Sequence, residues 1–153
     1  ADAELLRSRR GVTVLTPHMG ELARFLDVPL KALLKRPTKF LKRAVDGIGQ
    51  AVVLKGPCTY VGMPNGNLYL GFAPNDGMAK GGSGDVLAGL LGGLLAEAWA
   101  SGGALESALA LAVWTHARAG ILAAEQVGAR GLSASAVIRS IPAAFGELDV
   151  DAS

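Results

Sequence analysis

The chain has 153 residues, of which 50% are hydrophobic, 5% are aromatic and 18% are charged, and its formal net charge is +2. This length suits one domain with a buried core, and the composition is typical of a compact α/β protein, which excludes a disordered or fibrous one. The one dense basic region, residues 31–43, lacks interleaved aromatic residues and is interpreted as the solvated face of a helix. We therefore expect no nucleic-acid partner.

The cysteine content and the lengths of the apolar runs indicate in which cellular compartment the protein is expected. A single cysteine, Cys58, excludes an internal disulfide and a cysteine zinc cluster, and it is typical of the reducing cytoplasm. The charged N-terminal residues are unlike a signal peptide. The apolar run at 86–95 is much shorter than the ~20 residues of a membrane-spanning helix. The sequence thus predicts a cytoplasmic protein without a membrane partner.

Strands and short helices alternate in the first half of the chain. The β-branched residues 12–15 and the wholly apolar residues 51–54 predict strands, the second of a kind that is covered on both faces. Asn65-Gly66 lies between the strand-like runs 59–63 and 68–72 and predicts a hairpin. Helical stretches are predicted at 21–26, at 30–34 and, after Pro37, at 38–45.

The second half of the chain is helical by its pattern. Helices are predicted at 84–100, 105–125 and 133–145. Ser133 is a suitable N-cap for the last one, and Pro142 predicts a kink or a stop within it. His116 lies in an apolar helix and is interpreted as a packed core histidine. Two central strands and a hairpin are few for three long helices, so further strands are expected on the N-terminal side.

A glycine-rich run from Gly77 to Asp85 leads directly into a predicted helix. Glycines allow close backbone approach to a ligand, and a helix start offers unpaired N–H groups and a positive dipole end. The run therefore predicts a phosphate site with one carboxylate, Asp85, beside it. A Walker A loop would need Gly-Lys-Ser/Thr at its end, and a dinucleotide fingerprint would need a glycine at position 87, where leucine stands. Neither motif fits.

Three motifs in order carry a resemblance over nearly the whole chain. They are Thr-Pro-His-Met-Gly-Glu at 16–21, Val-Leu-Lys-Gly-Pro-Cys-Thr at 53–59 and Gly-Met-Ala-Lys-Gly-Gly-Ser-Gly-Asp at 77–85. The third resembles the Gly-x-Gly-Asp anion hole of the ribokinase-like superfamily. Together, and with His-Ala-Arg-Ala-Gly at 116–120, they resemble the ADP-dependent NAD(P)H-hydrate dehydratase family, often labelled as a carbohydrate kinase. The implied fold is α/β, with ribokinase-like α/β/α layers.

The resemblance implies a role for each motif. It makes Asp85 the catalytic group and a substrate contact, and it makes His18 a second substrate contact. The transferring phosphoryl would be held by the anion hole of Gly81, Gly82, Ser83 and Gly84. The nucleotide would be bound by Gly84 and by the segment Lys55, Gly56, Pro57, Cys58 and Thr59. No carboxylate cluster in the sequence marks a protein metal site, and Mg²⁺ is expected with the nucleotide, as for any nucleotide phosphoryl transfer.

The implied reaction repairs a damaged cofactor. A phosphoryl group passes from ADP or ATP to the hydroxyl of hydrated NADH or NADPH, phosphate is eliminated and NAD(P)H is restored. The first residues resemble a motif from the middle of the family's proteins, so we expect the chain to be the C-terminal, nucleotide-binding part of one ribokinase-like domain whose N-terminal half is absent. A homo-oligomer is expected.

Two other functions stay open at this point. Another ribokinase-like kinase, acting on a vitamin precursor or a carbohydrate, would share the Gly-Asp loop but not Thr-Pro-His-x-Gly-Glu. A non-catalytic nucleotide-binding fragment is the second alternative. Recovery of NADH from hydrated NADH with ADP would distinguish the dehydratase from another kinase. Titration with AMP or ADP would distinguish a nucleotide-binding protein from an inactive fragment.

Overall fold

The structure, a computed structural model, describes residues 3–71, 78 and 81–151 and divides into two compact units, Ala1–Leu70 and Gly71–Ser153. The first unit holds four short helices and the sheet, and the second holds three long helices. This confirms the α/β class and the relative order of the predicted elements, and it adds a first helix, Ala3–Arg7, that was not predicted from the sequence. The loop residues Gly77, Ala79 and Lys80 lie outside the described residues, as does Phe72 at the end of a predicted strand.

The sheet of the first unit has four strands in the order β1-β2-β3-β4. The strands are β1 Val14–Leu15, β2 Ala51–Leu54, β3 Thr59–Gly62 and β4 Leu68–Gly71. β1 runs parallel to β2, and β3 runs antiparallel to β2. All four residues of β2 are buried, as its continuous apolar run predicts. The predicted Asn-Gly turn closes the β3–β4 hairpin, where Gly66 has a φ of 91°.

Four helices belong to the first unit: α1 Ala3–Arg7, α2 Met19–Phe25, α3 Leu30–Lys35 and α4 Pro37–Ile48. Pro37 begins α4 at the position where its missing N–H costs nothing, and Gly49 ends it in the left-handed conformation. α4 packs on the sheet so closely that a Cβ at Gly62 would lie 2.9 Å from side-chain atoms of Leu41 and Val45. The buried core of this unit lies between the sheet and these helices.

The second unit consists of α5 Ser83–Ser101, α6 Leu105–Gly131 and α7 Ala134–Asp151. α6 packs against both other helices, and its Arg118 guanidinium forms two hydrogen bonds of 2.6 and 2.7 Å with the Glu147 carboxylate of α7. Within the described ranges, α6 is the one helix that is long and apolar enough to span a membrane. Its buried residues include Thr115 and His116, which is typical of the core helix of a globular unit.

Two helix ends differ from the sequence prediction. Of the kink or stop predicted at Pro142, the stop does not occur: the helix continues to Asp151, and Ser140 and Ala144 are buried on either side of the proline. The packing of α7 on α6 therefore outweighs the one backbone hydrogen bond that proline removes. α6 extends past its predicted end to Gly131, although Gly128 interrupts it with a φ of 73°. Ser133 does cap α7, since its hydroxyl accepts a 3.2 Å hydrogen bond from the Ala136 N–H.

Candidate functional site

The start of α5 is formed by the glycine-rich loop of the second unit. Gly82 is the N-cap residue, with a φ of 89°, and its carbonyl accepts hydrogen bonds from the N–H groups of Asp85 at 3.1 Å and Val86 at 3.2 Å. A glycine has no side chain with which to cap the other amides of the first turn, and in the described part of the chain no side chain supplies a cap. These amides and the helix dipole can therefore receive an anion.

Gly82 has two reasons to be glycine. Its positive φ is rarely adopted by other residues, and a Cβ added there would lie 3.1 Å from the Cβ of Ala134, the first residue of α7. The backbone turn before α5 thus depends on a residue without a side chain. Gly81 is exposed, and Gly84 is half-buried in the first turn of α5.

Asp85 lies in the first turn of α5, on an exposed surface. Asp85 lines one end of an apolar groove between α5 and α7, of about 700 Å³, in which Glu97 is the other acidic lining residue. Gly82 lines the same end of this groove. The structure therefore places Asp85, the predicted catalytic residue, and Gly82, one residue of the predicted anion hole, at the same end of one groove.

His116, predicted to be a packed core residue, is buried and also hydrogen-bonded to the loop. Its Nε2 lies 2.9 Å from the carbonyl oxygen and 3.2 Å from the hydroxyl oxygen of Ser83, which is itself buried. Burial lowers the pKa of His116, and the backbone hydrogen bond to Ser83 opposes this in part. The ring is therefore a neutral support for the first residue of α5.

Gly120 lies one turn after His116 on α6 and makes room for Met78. A Cβ at Gly120 would overlap the Met78 sulfur, and Met78 also packs against the buried cluster that contains Val86 and Ala119. One face of α6 thus contacts both the middle of the glycine-rich run and the start of α5. The contact of α6 with the glycine-rich run was not predicted from the sequence. The i, i+4 spacing of His116 and Gly120, which places both on one face of the helix, could have indicated it.

The ends of β1 and β2 bring two further predicted residues together in the first unit. His18 and Lys55 form an isolated parallel bridge, and the Lys55 N–H donates a 2.8 Å hydrogen bond to the Pro17 carbonyl. Both follow the carboxyl ends of parallel strands, the edge at which open α/β sheets bind ligands. The sequence placed each at a strand end, and the sheet makes them neighbours.

His18 has a structural role that was not predicted from the sequence. Its Nδ1 accepts hydrogen bonds from the N–H groups of Gly20 at 3.0 Å and Glu21 at 3.1 Å, which caps α2. The Glu21 carboxylate accepts a 2.7 Å hydrogen bond from the His18 N–H, completing a capping box. That hydrogen bond lowers the pKa of Glu21, with smaller contributions from nearby positive charges that include Lys55. Because Nδ1 accepts, Nε2 carries a ring proton, and it lies 3.4 Å from a Glu21 carboxylate oxygen.

The segment after β2 joins it to β3. Lys55 is half-buried, Gly56 and Pro57 are exposed, and Cys58 is a free, half-buried cysteine. A Cβ at Gly56 would lie 2.6 Å from the methyl group of Met19, the first residue of α2, so a larger residue here would require the Met19 side chain to move. Thr59 begins β3. The five residues thus form one loop beside His18.

No protein metal site is built from the residues that the structure describes: none of them form a group of three or more His, Cys, Asp and Glu side chains able to hold an ion. Mg²⁺ commonly binds through one or two carboxylates and the phosphates of a nucleotide. The exposed Asp85 beside the α5 amides is compatible with that mode. A dedicated cage of protein ligands is not needed for it.

The chain is similar to known proteins over most of its length. A model of the carbohydrate kinase type, described as NAD(P)H-hydrate dehydratase, matches residues 1–143. The chain is 34% identical over 148 residues to the bifunctional NAD(P)H-hydrate repair enzyme Nnr of Thermofilum pendens, covering 97% of this chain and 28% of that protein. It is 35% identical over 139 residues to the ADP-dependent (S)-NAD(P)H-hydrate dehydratase of Neisseria meningitidis, covering 89% and 46%.

Solved structures agree on the fold. The ADP/ATP-dependent NAD(P)H-hydrate dehydratase of Bacillus subtilis, co-crystallised with ATP and Mg²⁺, superposes with a TM-score of 0.83 at 30% identity, covering 92% of this chain and 49% of that one. A ribokinase-like superfamily protein of Enterococcus faecalis gives a TM-score of 0.71 at 25% identity, covering 88% and 44%. The chain thus spans about a quarter to a half of these relatives. Both the ribokinase-like fold and the resemblance drawn from the three motifs are confirmed: the chain belongs to the NAD(P)H-hydrate dehydratase family.

Proposed function

We propose that the protein to which this chain belongs restores hydrated NADH or NADPH to NAD(P)H, using ADP or ATP as the phosphoryl donor. The observation that carries the proposal is the start of α5, where a helix end that no side chain of the described residues caps lies beside Asp85 at one end of a groove. Membership of the dehydratase family supports the choice of substrate. This arrangement suits phosphoryl transfer, which asks a protein mainly for positioning and charge stabilisation.

In the proposed first step, the substrate hydroxyl attacks the terminal phosphorus of the nucleotide. The amides around Gly82, Ser83 and Gly84 hold the phosphoryl oxygens, as donors aimed at developing negative charge. Asp85 accepts a hydrogen bond from the attacking hydroxyl and takes its proton as the oxygen–phosphorus bond forms. Because a carboxylate is a weak base, orientation is most of its contribution. The bond to the bridging oxygen breaks, and AMP leaves when ADP is the donor.

In the second step, phosphate leaves with the electron pair of the ring carbon–oxygen bond. The neighbouring ring carbon loses a proton, which restores the ring double bond, so the net change is the loss of water from the ring and hydrolysis of one phosphoanhydride bond. His18 is proposed to contact the substrate through Nε2, which does not cap α2 and lies 3.4 Å from a Glu21 carboxylate oxygen. Lys55 and the loop to Thr59 are proposed to bind the nucleotide. Mg²⁺, held mainly by the nucleotide phosphates, would neutralise part of their charge.

The assignment of the chain to the nucleotide-binding part of a ribokinase-like domain is likewise a proposal, as are a cytoplasmic location and a homo-oligomer without nucleic-acid or membrane partners. Size-exclusion chromatography with light scattering tests the oligomer. A mass equal to one chain would contradict it.

The experiment for the function is recovery of NADH absorbance from hydrated NADH with ADP and Mg²⁺, together with the variant Asp85→Asn. We expect the complete protein to regenerate NADH and the variant to lose at least ~100-fold in kcat while still binding AMP, because a positioned proton acceptor contributes about that much. Asp46→Asn is the matched control, since Asp46 is an exposed helical aspartate that pairs with Lys42 at 3.3 Å in the other unit. Full turnover by Asp85→Asn would refute its role.

The same assay distinguishes the alternatives. Consumption of ADP or ATP with a stable phosphorylated vitamin precursor or sugar, and no NADH, would indicate another ribokinase-like kinase. Binding of AMP without any turnover would indicate a nucleotide-binding module.

A further inference from the structure

We propose that His116 is a positioning residue that orients the anion-binding amides at the start of α5, an inference that rests on the function proposed above. His116 lies on α6, 33 residues after Ser83 in the sequence, and both side chains are buried. It reaches the first residue of α5 through a single ring nitrogen. The contact therefore joins the packed centre of the second unit to the backbone of the candidate site.

The distances define which atom carries the ring proton. A carbonyl oxygen only accepts hydrogen bonds, so the 2.9 Å approach of the Ser83 carbonyl requires the proton on Nε2. The Ser83 hydroxyl oxygen, 3.2 Å from the same nitrogen, then accepts from the same N–H. The hydroxyl keeps its own proton for another acceptor. One N–H of His116 thus restrains both the backbone and the side chain of Ser83.

Restraint of the Ser83 carbonyl also restrains the Gly84 amide. The Ser83 C=O and the Gly84 N–H belong to one planar trans peptide, in which they point in opposite directions. At a helix start, the N–H points out of the N-terminal end, where an anion binds. Fixing the carbonyl with His116 therefore fixes the direction of the Gly84 N–H. Ser83 is the first residue of α5 and is flanked by two glycines, so the His116 hydrogen bond adds to the restraint that the helix itself places on this peptide.

The effect is expected on the chemical step rather than on ground-state binding. A rotated Gly84 amide still leaves the phosphate charge near the helix dipole, but it misaligns a donor that must meet the phosphoryl oxygens in the transition state. Loss of His116 should therefore lower kcat more than it raises KM for ADP. A residue that only supports the fold would lower the amount of folded protein and leave the kcat of the folded fraction unchanged.

The test compares His116→Leu, which removes the N–H but keeps an apolar side chain, with His116→Gln, whose amide N–H can occupy the place of Nε2–H. In the complete protein, we expect His116→Leu to lower kcat roughly 10- to 100-fold, with KM for ADP within about 3-fold, as for loss of a positioned donor. His116→Gln should recover most of kcat. The matched control is Thr115→Val, a change at the adjacent, fully buried residue of α6, whose hydroxyl has no partner among the described residues.

Unchanged kcat in His116→Leu, equal losses in the leucine and glutamine variants, or a loss of the same size in Thr115→Val would overturn the inference. A second readout does not depend on turnover: titration with inorganic phosphate while the Gly84 amide is followed by NMR. We expect a phosphate-dependent shift of this amide in the wild type that is lost or halved in His116→Leu and kept in Thr115→Val.

The two readouts separate this inference from the proposed function. If the wild type regenerates no NADH, the proposed function fails and the phosphate titration alone decides the role of His116. A Gly84 response to phosphate that is identical in the wild type and His116→Leu would then refute it. If the wild type is active and only the His116 comparison fails, the function stands without the positioning role.

Discussion

The Nε2 of His116 lies 2.9 Å from the carbonyl oxygen of Ser83, although 33 residues separate them in the sequence. This hydrogen bond joins the middle of α6 to the first residue of α5. Since burial holds the pKa of His116 below its ordinary value of 6.5, the stability of the fold is linked to the protonation of this ring.

The first prediction concerns that linkage. In the unfolded chain the imidazole takes up a proton below about pH 6.5, whereas the buried ring resists it, so the unfolded state binds more protons in this range. The stabilising contribution is complete above pH 6.5 and is lost as the pH falls through the lowered pKa of the folded state. The free energy of unfolding, measured with denaturant between pH 8 and pH 5, should therefore decrease towards pH 5. In His116→Gln this component should be absent, and parallel curves for the two proteins would contradict it.

The second prediction concerns Gly82. Gly82→Ala should destabilise the protein by about 1–2 kcal/mol, because an alanine is strained at a φ of 89° and its Cβ would meet Ala134. Binding of inorganic phosphate should weaken as the loop backbone shifts. Gly92→Ala is the matched control, since Gly92 is exposed within α5 and has open space around it. That change should raise stability by ~0.5–1 kcal/mol, as alanine favours the helix.

The third prediction concerns the contact between Gly120 and Met78. Gly120→Ala should cost about 1–3 kcal/mol, because the added methyl overlaps the Met78 side chain against α6. Met78→Ala removes the side chain that fills this space, and it also loses the stabilisation that comes from burying that side chain. Thermal unfolding of both single variants and the double variant should show a favourable coupling, with the double variant more stable than the sum of the single effects predicts. Strict additivity would show that the two residues do not meet.

The fourth prediction separates the two roles of His18. His18→Ala should lower stability by about 0.5–2 kcal/mol, because it removes the acceptor of the Gly20 and Glu21 amides at the start of α2. His18→Asn should retain that cap, since asparagine is a preferred N-cap residue, but it lacks the Nε2–H. We therefore expect normal melting and a raised KM for hydrated NADH in the asparagine variant. A normal KM would leave His18 with the capping role alone.

The sequence by itself determined the local elements, because their causes lie within a few residues. The continuous apolar run at 51–54 is the buried strand β2, Asn65-Gly66 closes the β3–β4 hairpin, and Ser133 caps α7. The order of the three motifs also determined the family. The sequence also contains part of the signal for the cap at His18, since Glu21 stands three residues later as in a capping box. Histidine, however, is not among the usual N-cap residues, so the cap was not predicted.

Only the tertiary structure decided which distant residues support the site. The pattern of α6 marks His116 as buried, yet burial alone does not say which acceptor its N–H meets; that depends on the packing of α6 against α5. The same packing places Met78 over Gly120, and the packing of α7 carries its helix through Pro142. Periodicity along a chain reports which face of a helix is apolar. The partner of one buried polar atom depends on how two helices lie against each other, and no short stretch of sequence contains that information.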